Sequence, residues 1–118
     1  MKALKLNYRS FAVFALVAGI FLSPLLTASE AAAEVFEVEI KGFAFHPAKL
    51  SVKPGDVIRW VNKDIAPHTA TSDDGSWDSG ELSNGGVAEI EMTKAGVFSY
   101  LCIYHPAMKG EITVVAEP

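Results

Sequence analysis

Cysteine is almost absent: Cys102 stands alone in 118 residues, so no disulfide within the chain can staple its fold. Histidine is scarce too. His46, His68 and His105 are the only three, too few for several histidine-rich metal centres. Positive charge is in deficit, with ten Lys and Arg against fourteen Asp and Glu, and no basic patch interrupts the balance. A polyanionic nucleic acid is therefore excluded as a partner. The longest apolar run, Phe11 to Leu26, is shorter than the ~20 residues a membrane-spanning helix needs. No segment after it carries a helical period, which excludes an α-class domain.

What is present begins with an export pattern. Lys2, Lys5 and Arg9 precede the apolar run, Ser23-Pro24 breaks it, and Ala31-Ala32-Ala33 offers a small-residue cleavage site. Residues 1–33 read as a secretory signal peptide cleaved near Ala33/Glu34, leaving residues 34–118 as one exported, periplasmic domain. A retained N-terminal anchor is the alternative. No cysteine lies near the cleavage region, so an N-terminal lipid anchor is excluded, and no stable membrane association is expected after cleavage. The exported part has seven Lys and Arg against thirteen Asp and Glu. A domain this small buries a modest core and often needs a staple such as a metal. A free thiol sent to an oxidising compartment is exposed to chemistry. A metal bond would protect it.

Residues 34–118 read as short strands separated by turns. Phe36, Val38 and Ile40 alternate with Glu37, Glu39 and Lys41, the pattern of a strand with one buried face. Leu50 to Val52 leads into the turn Lys53-Pro54-Gly55-Asp56, and Val57 to Val61 follows as a central strand with Trp60 in the core. His68 to Ser72 is a short strand. Asp73 to Gly86 is a Gly, Ser and Asp-rich loop anchored by Trp77. Val87 to Met92, Val97 to Cys102 and Gly110 to Val115 complete the set, with Phe98, Tyr100 and Cys102 on one face. Strands at this spacing predict an all-β Greek-key sandwich.

The chemistry gathers at Cys102-Ile103-Tyr104-His105-Pro106-Ala107-Met108. A thiolate, an imidazole and a thioether stand within seven residues, and His68 can be delivered from a distant strand. Soft sulfur with imidazole suits copper in both common oxidation states. Two His and a Cys with a weak axial Met form the ligand set of blue-copper electron-transfer sites. His46 has no sulfur near it and reads as a surface or packing residue.

Over residues 34–118 the chain resembles the cupredoxins, and the amicyanin branch in particular. Phe45-His46-Pro47, Lys53-Pro54-Gly55-Asp56, Trp60-Val61-Asn62, Pro67-His68, Ala95-Gly96 and the short Cys102–Met108 segment carry the likeness. The resemblance implies one mononuclear type 1 copper, with His68, Cys102 and His105 as strong ligands and Met108 as the weak axial one. It implies a small electron carrier that transforms no substrate, a monomer that docks redox proteins near His105. The donor would be a dehydrogenase or a cytochrome. Pro106, Ala107 and Pro67 match the apolar ring of such a port. The alternative function is copper delivery or storage, and an enzyme is not expected.

Two departures stand out. Tyr104 replaces the Pro that usually precedes the loop histidine, so its amide can donate a hydrogen bond to the Cys102 sulfur, with Thr69 donating another. A raised reduction potential would follow. The stretch Ser72 to Leu82 is acidic, and Asp73, Asp74, Asp78 and Glu81 read as a solvated loop rather than a docking surface.

Overall fold

The computed structural model describes residues 15–26 and 32–117. The chain divides into two units, Met1–Glu30 and Ala31–Pro118. Residues 15–26 form neither helix nor strand, and most of the export pattern falls on 1–14 and 27–31, outside the described residues. Among the described residues no helix is long and apolar enough to cross a membrane.

The second unit is all β. Its strands are β1 (Val35–Ile40), β2 (Phe45–His46), β3 (Lys49–Val52), β4 (Val57–Asn62), β5 (Thr71–Ser72), β6 (Val87–Glu91), β7 (Gly96–Cys102) and β8 (His105–Val114). They form two four-stranded sheets, ordered β2-β1-β4-β6 and β3-β8-β7-β5. The β1–β4 and β3–β8 pairs are parallel and the others antiparallel. Parallel neighbours cannot be joined by a tight hairpin, so the chain must cross between sheets. One such crossing runs from the end of β4 to β5, and it carries His68.

Alternation decides which faces meet. Val38 and Ile40 of β1, Ile58 and Trp60 of β4, and Phe98, Tyr100 and Cys102 of β7 are all buried. The centre is aromatic. The Trp60 Nε1–H donates to the Tyr100 hydroxyl at 3.3 Å, and Trp77 lies 5.0 Å from Trp60 and 5.1 Å from Tyr100 between ring centroids. Trp77 thus pins the 73–86 loop to the core, as its isolation in a polar stretch suggests. Burial pushes the Tyr100 hydroxyl up to about 12, against the hydrogen bond from Trp60.

Two strands depart from the sequence reading. His68 to Ser72 is not continuous strand: β5 holds only Thr71 and Ser72, and His68 makes an isolated bridge to Leu82. The last strand begins at His105 rather than Gly110. Pro106 suggests a loop there, but β8 tolerates a residue without an amide hydrogen where no ladder donor is needed.

Gly110 sits directly opposite Tyr100 in the β7–β8 ladder, and a Cβ on Gly110 would enter the Tyr100 ring. Gly110→Ala is therefore expected to destabilise the domain by about 1–3 kcal/mol through overpacking. Urea denaturation measures it, and a midpoint equal to the native protein's would contradict this packing. At the opposite end, the Asp56 carboxylate accepts the Glu34 and Lys53 amides at 3.0 and 2.8 Å. Those two bonds, outweighing burial, hold its carboxyl below the ordinary 3.8. The unfolded chain therefore binds that proton more tightly. The stability Asp56 adds is complete above about pH 4 and is lost as pH falls through the lower, folded value. Asp56→Asn should be clearly weaker than the native protein at pH 7, and the gap should narrow near pH 3. A gap independent of pH would show that the carboxylate charge is not what matters.

Candidate metal centre

Cys102 ends β7 with its side chain fully buried, and it is the only cysteine. A two-residue turn, Ile103-Tyr104, then reverses the chain so that His105 pairs directly with Cys102. A register shift between Leu101 and Cys102 adjusts the strand end at the thiol. Such irregularities re-aim side chains beside functional sites. Met108, three residues into β8, is buried in the same core cluster as Cys102. Sulfur, imidazole and thioether are therefore held by one hairpin rather than by a long loop.

His68 reaches this hairpin from the crossing between the sheets. Asn62, fully buried at the end of β4, shapes that crossing. Its amide nitrogen donates to the carbonyls of Ala66 and Leu82 at 2.9 and 2.8 Å, and its oxygen accepts the Asp64 amide at 2.9 Å. The His68 amide and carbonyl both pair with Leu82. The imidazole is fully buried, and its Nε2 lies 2.9 Å from the Asp64 carboxylate. Burial alone would raise the Asp64 carboxyl. The amides of Phe43 and Gly42, at 2.9 and 2.8 Å, and the His68 contact outweigh it and hold it below 3.8. An ionised carboxylate can only accept, so this contact places an N–H on His68 Nε2 and leaves Nδ1 as the nitrogen turned away from Asp64.

That nitrogen faces the thiol. His68 Nδ1 and Cys102 Sγ are 3.7 Å apart. With bonds as long as those of zinc to thiolate and imidazole, ~2.3 and ~2.0–2.1 Å, two donors at a trigonal angle would stand about 3.8 Å apart. The pair has the spacing of two ligands on one ion. The Thr69 amide donates to the Cys102 sulfur at 3.3 Å, as expected from its place after His68. Tyr104 does not: among the described residues its amide makes no bond to the sulfur, because it occupies the tip of the tight turn. The raised potential inferred from Tyr104 loses its basis.

His105 is half-buried, with its ring 5.2 Å from that of His68 between centroids. Phe43 packs edge-on against both, 5.0 Å from His68 and 4.9 Å from His105. Among the described residues no three His, Cys, Asp or Glu side chains close into a finished cluster. His68 and Cys102 stand at ligand spacing, and His105 stands outside them toward the surface. His46 is exposed, and its Nε2 lies 3.1 Å from the Lys41 carbonyl. Phe43, Ile65, Pro67, Ile103 and Tyr104 are exposed, and of these Phe43 packs on His105.

Sequence reasoning missed Asp64 and Phe43. An acid four residues before His68 is a visible cue for the first. Nothing in the sequence around Gly42-Phe43 marks the second. Phe43 adopts a positive φ of 57°, an uncommon state for a bulky residue, held by the Asp64 carboxylate that receives its amide.

The family model of the cupredoxin-like domain matches residues 12–114. Amicyanin-alpha of Methylorubrum extorquens is 26% identical over 110 residues, covering 89% of this chain and 92% of that protein. Among solved structures, a Cu(I) form of an amicyanin variant superposes with a TM-score of 0.64 at 26% identity, over 73% of this chain and 87% of the other. A copper-containing nitrite reductase from Thermus scotoductus gives a TM-score of 0.65 at 29% identity, over 75% of this chain but only 23% of the enzyme. The fold and the family match agree with the hairpin and sandwich, and the chain belongs to the cupredoxin-like family.

Proposed function

We propose that this protein is a small blue-copper electron carrier, exported as the 34–118 domain and working as a periplasmic monomer between redox proteins. The cofactor is a single type 1 copper. The observation that carries the reading is the 3.7 Å spacing between His68 Nδ1 and Cys102 Sγ, with the Asp64 carboxylate engaging the other ring nitrogen. Cys102 supplies the thiolate, His68 the buried imidazole, His105 the outer imidazole and Met108 the weak thioether. One-electron exchange between Cu(II) and Cu(I) is what the metal supplies when bound.

The remaining work belongs to the chain. The β7–β8 hairpin and the Asn62–Asp64 network hold the donors nearly fixed, so a change of oxidation state demands little rearrangement. Phe43 and Asp64 hold the two imidazoles from the outside. The apolar rim of Phe43, Ile103, Tyr104 and Pro106 excludes water from a docked face and leaves the His105 edge as the exit for the electron. Donor and acceptor proteins dock there. Copper delivery would call for reachable sulfur, yet Cys102, Met92 and Met108 are all buried. Catalysis would call for a second centre, and His46 is the one imidazole left over.

Two experiments test this. In mixtures of the Cu(I) and Cu(II) forms, NMR line broadening should report fast electron self-exchange, with copper retained against a chelator through repeated ascorbate reduction. Copper lost to the chelator at each reduction would instead mark a delivery protein. Asp64→Ala should lower copper affinity about 10–100-fold, the usual effect of removing a carboxylate behind a ligating histidine. Competition with a chelator of known affinity measures it, and an unchanged affinity would show that Asp64 does not hold the ligand.

A further inference from the structure

Asp73, Asp74 and Asp78 lie close together in the loop after β5, but their carboxylates have different partners. Asp74 accepts the Ser72 hydroxyl and the Ser76 amide, within its own turn. Asp73 is exposed. Asp78 is different: its Oδ1 accepts the Gly80 amide at 2.8 Å and the Thr71 hydroxyl at 3.1 Å. Thr71 Oγ1 lies 2.9 Å from Thr69 Oγ1, which accepts the Ile103 amide at 3.0 Å.

The direction of this chain follows from its ends. A carboxylate only accepts, so the single Thr71 proton goes to Asp78. Thr71 Oγ1 must then accept from Thr69, and the Thr69 oxygen is left to accept from Ile103. Every donor points the same way, from the residue after Cys102 out to an exposed acid. Aligned hydrogen bonds polarise one another and strengthen together. The amide of the same Thr69 is the donor to the Cys102 sulfur.

We infer that Thr71 and Asp78 are positioning residues for the Cys102–His105 hairpin, acting through the Thr69 hydroxyl on the Ile103 amide. This rests on the copper-carrier reading for its purpose, although the geometry stands without it. It gives the acidic loop a role that overall charge does not: only Asp78 is wired to the ligand turn.

Amide hydrogen exchange on the metal-free protein tests it, since no copper chemistry enters. Thr71→Val should speed exchange at Ile103 about tenfold, the scale of one net hydrogen bond, while Ile112 in the core of β8 keeps its native rate. Thr71→Ser, which retains the hydroxyl, should restore the native rate at Ile103. Asp78→Ala should match Thr71→Val, and the double variant should add little. Asp73→Asn, which removes a charge from the same loop, should leave Ile103 unchanged. An unchanged Ile103 in Thr71→Val overturns the inference, as does acceleration shared by Ile112 or an equal effect of Asp73→Asn. The blue absorption of the copper-loaded native protein is a separate readout. Its absence would remove the carrier reading while the exchange data still decide the hairpin.

Discussion

The structure depends on one buried contact, the His68 imidazole against the Cys102 sulfur. The two residues are 34 apart in sequence. His68 sits on the crossing from β4 to β5, which belong to different sheets, and Cys102 ends β7 in the second. The contact exists only when the sandwich has closed. A polar imidazole without solvent must be satisfied, and it is satisfied twice over: Asp64 takes one nitrogen, and the thiol faces the other. That division of labour fixes both the position and the orientation of the buried ring.

Around this contact the protein builds from short-range devices rather than from bulk. Asn62 fixes the crossing through three hydrogen bonds. Asp64 ties the turn at Gly42 and Phe43 to the back of His68. Thr69 joins the crossing to the ligand hairpin through both its amide and its hydroxyl. Each of these residues touches two elements that are distant in sequence. Below them the Trp60–Trp77–Tyr100 cluster sets the floor, and Gly110 makes room for the Tyr100 ring. Rigidity at the ligands is what a one-electron carrier needs, because the barrier to transfer rises with the rearrangement it demands.

Much of this was legible before any coordinates. Period-two alternation in 36–40 and in 97–102 marked the buried faces correctly, including the inward direction of Cys102. The isolated Trp77 announced that its polar loop is pinned. The ligand candidates followed from the chemistry of one cysteine, two histidines and a methionine. What stayed hidden depended on long-range pairing. Pro106 masked the early start of β8, since strand pairing with Cys102 overrides a local loop signal. Leu82 claims both backbone groups of His68, which removes it from the strand predicted there. Tyr104 has an amide that proline lacks, but the tightness of the turn keeps it from the sulfur. Phe43 comes to the metal centre through a backbone state that no local pattern encodes.

The most direct measurement is the visible absorption and EPR spectrum of the Cu(II)-loaded protein, with Cys102→Ser alongside and ascorbate added afterward. If the thiolate holds the metal, the native protein shows an intense blue band with narrow copper hyperfine splitting, ascorbate bleaches it reversibly, and Cys102→Ser lacks it. A pale native protein with broad splitting, indistinguishable from Cys102→Ser, would mean that Cys102 is not a ligand and that the His68–Cys102 contact only packs the core.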